Sequence, residues 1–244
     1  MKEAGSFLWV PGWSADCRVW GKLPGTLFPE GVHRMIDFQG CEDTESIETQ
    51  VERALEGLPA PIRIIGWSMG AMAALKLAGR PVSSIHSLYL IGACGQFVKS
   101  EEYPYGWNPR VLLRMESRLQ TDVEGVLEDF DRRMFSTEER HQKEPERWKR
   151  TCREGRPPSV DSLRAGLAYL RDYRLDREKE RTEAAVYLLS GTADTICPPA
   201  SAIQLQKVLP RAEITLWEEA GHLPFWTQED RFREWLERRV YSND

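Results

Sequence analysis

The chain has 244 residues, of which 41% are hydrophobic and 29% are charged, a composition typical of globular proteins and not of disordered or fibrous ones. Its net charge of -5 excludes a general nucleic-acid-binding domain, which would be basic. No apolar run approaches the roughly 20 residues that a membrane-spanning helix needs, so we expect no membrane association.

Strands and helices are predicted to alternate along the N-terminal part of the chain. Short runs of apolar residues predict strands at 7–10, 33–38, 61–65 and 84–91. Apolar residues spaced three to four apart, and a run of helix formers that ends at Gly79, predict helices at 45–58 and 71–78.

The same alternation returns near the C-terminus, with strands predicted at 184–189 and 213–217 and helices at 199–209 and 227–241. Strands that alternate with helices imply a mainly parallel sheet covered by helices on both faces. The predicted fold class is therefore α/β.

Residues 100–182 differ in composition from the rest, because strand signals disappear and charged, helical sequence takes over. The predicted organisation is a core of residues 1–99 and 183–244 with a helical insert of residues 100–182. With short connections, such an insert lies over the carboxyl ends of the strands, where clefts in open α/β sheets lie. We therefore expect the insert to act as a lid.

The segment Gly66-Trp67-Ser68-Met69-Gly70 matches G-x-S-x-G and lies between a predicted strand and a predicted helix, as a nucleophile elbow requires. The glycines allow the strand and the helix to approach closely while Ser68 projects its hydroxyl from a strained turn. Ser68 is the predicted nucleophile.

A serine hydroxyl needs a base within reach and a third group that orients the base. Asp194 follows the strand predicted at 184–189, and His222 follows the strand predicted at 213–217. The chain order Ser, Asp, His is that of α/β-hydrolases. We predict that His222 accepts the proton of Ser68 and that Asp194 fixes the tautomer of His222.

Stabilising a tetrahedral oxyanion requires two donors, one from the residue after the nucleophile and one from the loop after the first core strand. These residues are Met69 and Trp13, since Pro11 has no N–H to offer. The predicted chemistry uses no metal and no cofactor. The five cysteines are odd in number and lack C-x-x-C spacing, so we expect reduced thiols. The N-terminal apolar run stops at Pro11, too short for a signal peptide, so we expect a cytoplasmic location. A monomer is also expected.

Taken together, these motifs make the chain similar to the α/β-hydrolases, and more narrowly it resembles the pimeloyl-acyl-carrier-protein methyl ester esterases of biotin synthesis. The resemblance spans nearly the whole chain and is carried by residues 11–13, 20, 66–70, 163–170, 191–194 and 220–225. It implies an acyl site lined by Trp13 and Phe130, with Met134 one helical turn further, and an acyl-carrier protein as partner.

The family has basic residues just before the lid phenylalanine, where this chain has Glu128 and Asp129. A basic stretch further along the insert suggests another carrier contact, the arginine patch of Arg147, Arg150, Arg153 and Arg156. Arginines suit an acidic partner with a phosphate-bearing arm. Alternatively, these arginines lie on solvated helix faces where neighbouring acidic residues balance their charge, which explains the same pattern.

The predicted function is hydrolysis of the methyl ester of a carrier-bound pimeloyl chain by a serine carboxylesterase. The same triad also serves a small-molecule carboxylesterase, a lyase or a C–C hydrolase. An alternative of another class is a non-catalytic binding protein with a hydrolase fold.

Overall fold

The computed structural model describes residues 5–80, 84–155, 157–176, 182–209 and 211–241. Its strands form one sheet: β1 (Ser6–Val10), β2 (Val32–Met35), β3 (Ile62–Trp67), β4 (Ile85–Ile91), β5 (Ala185–Gly191) and β6 (Glu213–Trp217). The spatial order is β2-β1-β3-β4-β5-β6, and each neighbouring pair is parallel. The predicted α/β class with a mainly parallel sheet is confirmed.

The described helices are α1 (Leu23–Leu27), α2 (Thr44–Arg53), α3 (Met69–Ala78), α4 (Pro109–Arg118), α5 (Val123–Met134), α6 (Thr137–His141), α7 (Glu144–Trp148), α8 (Val160–Asp172), α9 (Pro199–Val208), α10 (Pro224–Thr227) and α11 (Glu229–Tyr241). A 3₁₀ turn covers Cys17–Trp20, and a π turn covers Lys149–Arg153. Across the described part of the chain, none of these helices is long and apolar enough to cross a membrane.

Two predicted elements end earlier than expected, for local reasons. Helix α2 stops at Arg53 because the amides of Leu55 and Glu56 donate to carbonyls three residues back, and Gly57 then takes a φ of +72°. Strand β2 stops at Met35. The amide of Ile36 still donates to Trp9, but an Asp37 side chain that accepts from the Gln39 amide then turns the chain out of the sheet.

The central strands are buried on both faces. All residues of β1 and β3 are buried, as expected for parallel strands covered by helices. The chain steps from β1 to β2 on one side and then to β3 on the other, so the strand order reverses between β1 and β3. Open α/β sheets bind ligands at the carboxyl end of such a reversal.

The helical insert follows β4 and precedes β5, and its described residues form α4 to α8 without adding a strand to the sheet. Side-chain caps fix where several of its helices begin. Asn108, Asp122, Ser136 and Ser159 each accept a hydrogen bond from an amide in the first turn of the next helix. The helical insertion between strands is confirmed.

Candidate active site

Ser68 lies at the sharp turn between β3 and α3, with φ and ψ of 55° and -121°. Its amide donates to the carbonyl oxygen of Ile91 at the end of β4, 2.8 Å away. A Cβ on Gly66 would lie 2.7 Å from Ala71 Cα, and one on Gly70 would overlap the Val10 and Pro11 carbonyls. The strand-turn-helix geometry therefore needs both glycines, as the motif predicts.

His222 and Asp194 form a hydrogen bond between Nδ1 and Oδ2 of 2.7 Å, and both side chains are fully buried. The other carboxylate oxygen of Asp194 accepts from the amides of Ile196 and Cys197, at 2.8 and 2.9 Å. A carboxylate held in this way favours the tautomer with its proton on Nδ1, which leaves the lone pair on Nε2.

The Nε2 atom of His222 is buried and makes no hydrogen bond with any described residue. Ser68 Oγ and His222 Nε2 are therefore not hydrogen-bonded in this structure, although both residues lie next to the backbone of Ile91 and Gly92. The Ser68 amide bonds to Ile91, and a Cβ on the next residue, Gly92, would lie 2.8 Å from His222 Cε1. Bonds between catalytic groups are often long without substrate and shorten when it binds.

Gly92, which the sequence analysis did not single out, is required by this arrangement. It has a φ of +57°, and a Cβ built on its Cα would contact the imidazole of His222. A glycine directly after a buried strand was the available sequence signal. Any side chain at this position would displace the histidine.

The first-strand loop lies against Ser68, as the predicted oxyanion site requires. A Cβ on Gly12 would lie 3.0 Å from Ser68 Cβ. Among the described residues, the amides of Trp13 and Met69 make no backbone hydrogen bond. Met69 is the first residue of α3, where helix amides have no partner within the helix. Neither predicted donor is thus engaged by the backbone of the described residues.

The indole of Trp13 is buried beneath the helical insert. Its Nε1 donates to the carbonyl oxygen of Leu163 in α8, 2.9 Å away, and its ring contacts Phe130 of α5 edge to face at 4.7 Å. A Cβ on Gly166 would lie 2.5 Å from Trp13 Cδ1 and 3.3 Å from Met69 Sδ. Gly166 therefore allows α8 to cross directly above the two predicted oxyanion residues.

Met134, predicted to line the acyl site, is fully buried, and its main chain contacts the histidine loop. The amide of His222 donates to the Met134 carbonyl oxygen at 2.7 Å. The His222 carbonyl oxygen in turn accepts from Trp67 Nε1 at 2.9 Å. The backbone of the predicted base is thus held by the insert on one side and by the residue before the nucleophile on the other.

Glu139 is a second residue that the sequence analysis missed. It is 5% exposed, and its carboxylate accepts from the Ser136 amide at 2.7 Å, the Gly221 amide at 3.1 Å and the Thr227 hydroxyl at 2.7 Å. Within the described residues it has no cationic partner. The spacing of Ser136 and Glu139 is a capping-box signal, but nothing in it indicates Gly221.

Two members of the arginine patch have acidic partners, Glu144 for Arg147 and Asp131 for Arg153. The side chain of Arg153 is 10% exposed, pairs with Asp131 and bonds to Ser14, so its guanidinium is engaged within the protein. Arg147 pairs with Glu144 and lies over the Trp226 ring at 4.5 Å. The remaining members are Arg150, which is exposed, and Arg156, which lies outside the described residues.

No group of three histidine, cysteine, aspartate or glutamate side chains is placed to hold a metal ion in the described ranges. The five cysteines are free thiols. Cys94 and Cys197 lie close together, with their sulfur atoms 4.0 Å apart, and burial raises the pKa of Cys197. This thiol is therefore protonated and unreactive at neutral pH.

Sequence comparison finds similarity to a known family and to curated proteins. The model of the alpha/beta hydrolase family matches residues 7–235. A pimeloyl-[acyl-carrier protein] methyl ester esterase of Nitrosomonas europaea is 26% identical over 226 residues, which are 91% of this chain and 90% of that protein. A protein of the same name from Legionella pneumophila (strain Paris) is 27% identical over 225 residues, 91% of this chain and 89% of that protein.

Solved structures share the fold. An esterase from Exiguobacterium antarcticum superposes with a TM-score of 0.85 at 21% identity, covering 97% of this chain and 92% of that one. A bromoperoxidase from Bacillus anthracis gives a TM-score of 0.81 at 17% identity, covering 98% and 92%. At such identities, these similarities establish the fold alone.

Proposed function

Since the chain belongs to the alpha/beta hydrolase family, we propose that it is a serine carboxylesterase that cleaves the methyl ester of a pimeloyl chain held on an acyl-carrier protein. Full-length relatives named as esterases support the broader class, a carboxylic ester hydrolase. The observation that carries the proposal is the buried Asp194–His222 hydrogen bond, which leaves Nε2 free beside the elbow of Ser68.

The proposed reaction has two steps that use the same residues. Ser68 Oγ attacks the ester carbonyl carbon while His222 Nε2 takes its proton, and the imidazolium then protonates the departing methoxide, which leaves as methanol. Water, deprotonated by His222, attacks the acyl-enzyme, and the imidazolium returns this proton to Ser68 Oγ as the free acid leaves. Asp194 stabilises the imidazolium in both steps.

The amides of Trp13 and Met69 are proposed as the oxyanion donors. Their support is the contact of the Gly12 backbone with Ser68 and the position of Met69 at the start of α3. Two aligned donors in a buried site each contribute about 3 kcal/mol to transition-state stabilisation. They act on the charge that develops on the carbonyl oxygen.

The helical insert is proposed to act as a lid, with residues 1–99 and 183–244 as the core. Its contacts with Trp13, through Leu163 and Phe130, support this role, because α5 and α8 thereby cover the first-strand loop, which lies against Ser68. The apolar side chains of Trp13, Phe130 and Met134 suit a methylene chain. All three side chains are buried.

The carrier-protein substrate rests on the names of the relatives and on the family resemblance. The direct test is incubation of the purified protein with methyl-pimeloyl carrier protein and detection of the free acid by mass spectrometry. Complementation of a biotin-requiring strain that lacks this esterase tests the same activity in cells. The cytoplasmic location and the monomeric state stay predictions.

Two results would redirect the assignment. Hydrolysis of dimethyl pimelate with no hydrolysis of the carrier-linked ester would indicate a small-molecule esterase. Absence of both activities, together with no labelling of Ser68 by a fluorophosphonate, would indicate a binding protein with this fold.

A further inference from the structure

A groove between α4 and α5 opens on the surface of the insert, and we propose that it binds the phosphate-bearing arm of an acyl thioester substrate. The residues that carry the argument are Trp107, Arg110, Arg114, Arg118, Phe130 and Arg133. The groove holds about 990 Å³ of space that is open to solvent. This inference rests on the proposed function, because it assigns the site that would hold the substrate's carrier arm.

The charge of the groove is positive in a chain that is negative overall. Four arginines and one aspartate, Asp129, line it, whereas the whole chain has a net charge of -5. Arg118 bonds to both Asp129 and Asp122 at 2.7 Å, and this pairing lowers the pKa of each carboxyl. Asp129, the acidic residue that lines the groove, is therefore already paired with Arg118.

Three arginines remain for a ligand. Arg110 and Arg114 lie one turn apart on α4, and in the described part of the chain neither they nor Arg133 forms an ion pair. Arg133 lies across the groove on α5, with its guanidinium 6.0 Å from the centre of the Trp107 ring. Guanidinium groups bind phosphate through pairs of parallel hydrogen bonds, so this set fits a phosphate group.

Phe130, which lines the groove, connects it through ring contacts to Trp13 of the candidate active site. The Phe130 ring contacts Trp107 at 6.2 Å on one side and Trp13 at 4.7 Å on the other. Trp107 Nε1 donates to the carbonyl oxygen of Thr195, and the Thr195 hydroxyl donates to the carbonyl oxygen of Arg133. Thr195 is the neighbour of Asp194, so the groove wall is bonded directly to the loop that carries the acid.

This position separates the groove from the arginine patch. In the patch, Arg147 and Arg153 are engaged by Glu144 and Asp131, and Lys149 pairs with Glu128. The groove has three arginines that form no ion pair with a described residue, and its aromatic residue Phe130 contacts Trp13. An arm that enters here brings its acyl end to the side of the Trp13 loop where Phe130 lies.

The test uses the double variant Arg110→Glu/Arg114→Glu, with Arg53→Glu as the matched control. Arg53, at the end of α2, is exposed and forms no ion pair with a described residue. Three esters are compared: methyl-pimeloyl carrier protein, the methyl-pimeloyl phosphopantetheine thioester, and dimethyl pimelate, which has no phosphate. Thermal unfolding of each variant shows that the fold is kept.

We expect the double variant to raise KM about tenfold or more for both phosphate-bearing esters, because charge-assisted hydrogen bonds are lost. Its kcat should change by less than about twofold, and dimethyl pimelate should be unaffected, since only binding away from the reacting carbon is removed. Higher salt should raise KM for the wild type and have little effect on the variant.

A binding measurement keeps the result independent of turnover. Calorimetric titration of the Ser68→Ala protein with the phosphopantetheine thioester should show binding that weakens about tenfold when Arg110→Glu/Arg114→Glu is added. If wild type leaves the carrier-linked ester intact but this binding and its loss are seen, the proposed function fails and the groove assignment stands.

Three outcomes would overturn the groove assignment. One is equal KM values for wild type and the double variant on a phosphate-bearing ester that wild type does hydrolyse. Another is a larger effect of Arg150→Glu than of the double variant, which would return the contact to the arginine patch. The third is an effect on the carrier-linked ester alone, which would assign the arginines to the protein surface of the carrier and not to its arm.

Discussion

The amide of His222 donates a hydrogen bond to the carbonyl oxygen of Met134, so the proposed base is held by the helical insert as well as by the sheet. The adjacent amide of Gly221 donates to Glu139. A Cβ on Gly221 would lie 2.5 Å from the Met134 carbonyl oxygen. Movement of the end of α5 therefore acts on the position of the imidazole.

Replacement of the nucleophile gives the first prediction. Ser68→Ala should lower kcat by about 10³-fold or more on a p-nitrophenyl ester, because no oxygen remains to form the acyl-enzyme. The melting temperature should stay close to that of wild type. Ser117→Ala, an exposed serine of α4, is the control and should keep full activity. Near wild-type turnover by Ser68→Ala would show that the triad assignment is wrong.

Asp194→Asn separates the hydrogen-bond geometry from the charge. The amide oxygen can keep the bonds from Ile196 and Cys197, but its NH₂ group would face His222 Nδ1 and favour the proton on Nε2. We expect kcat to fall by up to about 10⁴-fold with little change in KM. Unaltered kcat in steady-state assays would remove Asp194 from the mechanism.

Sequence analysis predicted Ser68, Asp194 and His222 because each lies in a short motif at the end of a recognisable strand. Glu139 escaped it, since its partner Gly221 is 82 residues away and a glutamate in a charged stretch has no distinguishing pattern. The burial of Arg153 escaped it for the same reason. Its partners Asp131 and Ser14 are brought together only by the folding of the insert onto the first-strand loop.

Glu139 should influence catalysis through the histidine loop. In Glu139→Ala the amides of Ser136 and Gly221 and the hydroxyl of Thr227 lose their acceptor, and each buried donor left unpaired costs about 1–3 kcal/mol. Glu139→Gln retains one acceptor oxygen and should be destabilised less.

The kinetic readout distinguishes loop positioning from general stability. At a temperature where both variants are folded, kcat should fall more for Glu139→Ala than for Glu139→Gln, while KM changes little. Glu138→Gln is the control, since Glu138 is exposed and, among the described residues, its side chain accepts only from Gln142. Full kcat in folded Glu139→Ala would show that the carboxylate is purely structural.

Gly166 tests whether α8 must pass close to Trp13. In Gly166→Ala the new methyl carbon would lie 2.5 Å from Trp13 Cδ1, so the indole or the helix has to shift. We expect a loss of about 1–3 kcal/mol in the free energy of unfolding and a lower kcat/KM. Gly25→Ala in α1, where a Cβ meets nothing within 4 Å, should be neutral or slightly stabilising. Chemical denaturation and ester assays on both variants make the comparison.

The Arg153–Asp131 pair should be worth more to stability than the other ion pairs of the insert. Its side chains are only 10% and 12% exposed, and Arg153 also bonds to Ser14 in the first-strand loop. Removal of one member leaves a buried charge without its partner, which typically costs about 3–5 kcal/mol.

A double-mutant cycle measures this coupling. Arg153→Met and Asp131→Leu should each lower the free energy of unfolding. Each loss should be several times the loss per substituted residue in the double variant, because the double variant leaves no buried charge without a partner. The matched pair is Lys149–Glu128, whose side chains are 56% and 48% exposed and whose coupling should lie below about 1 kcal/mol. Equal coupling energies for the two pairs would mean that the guanidinium of Arg153 is solvated, and would make it available again as a contact for an acidic partner.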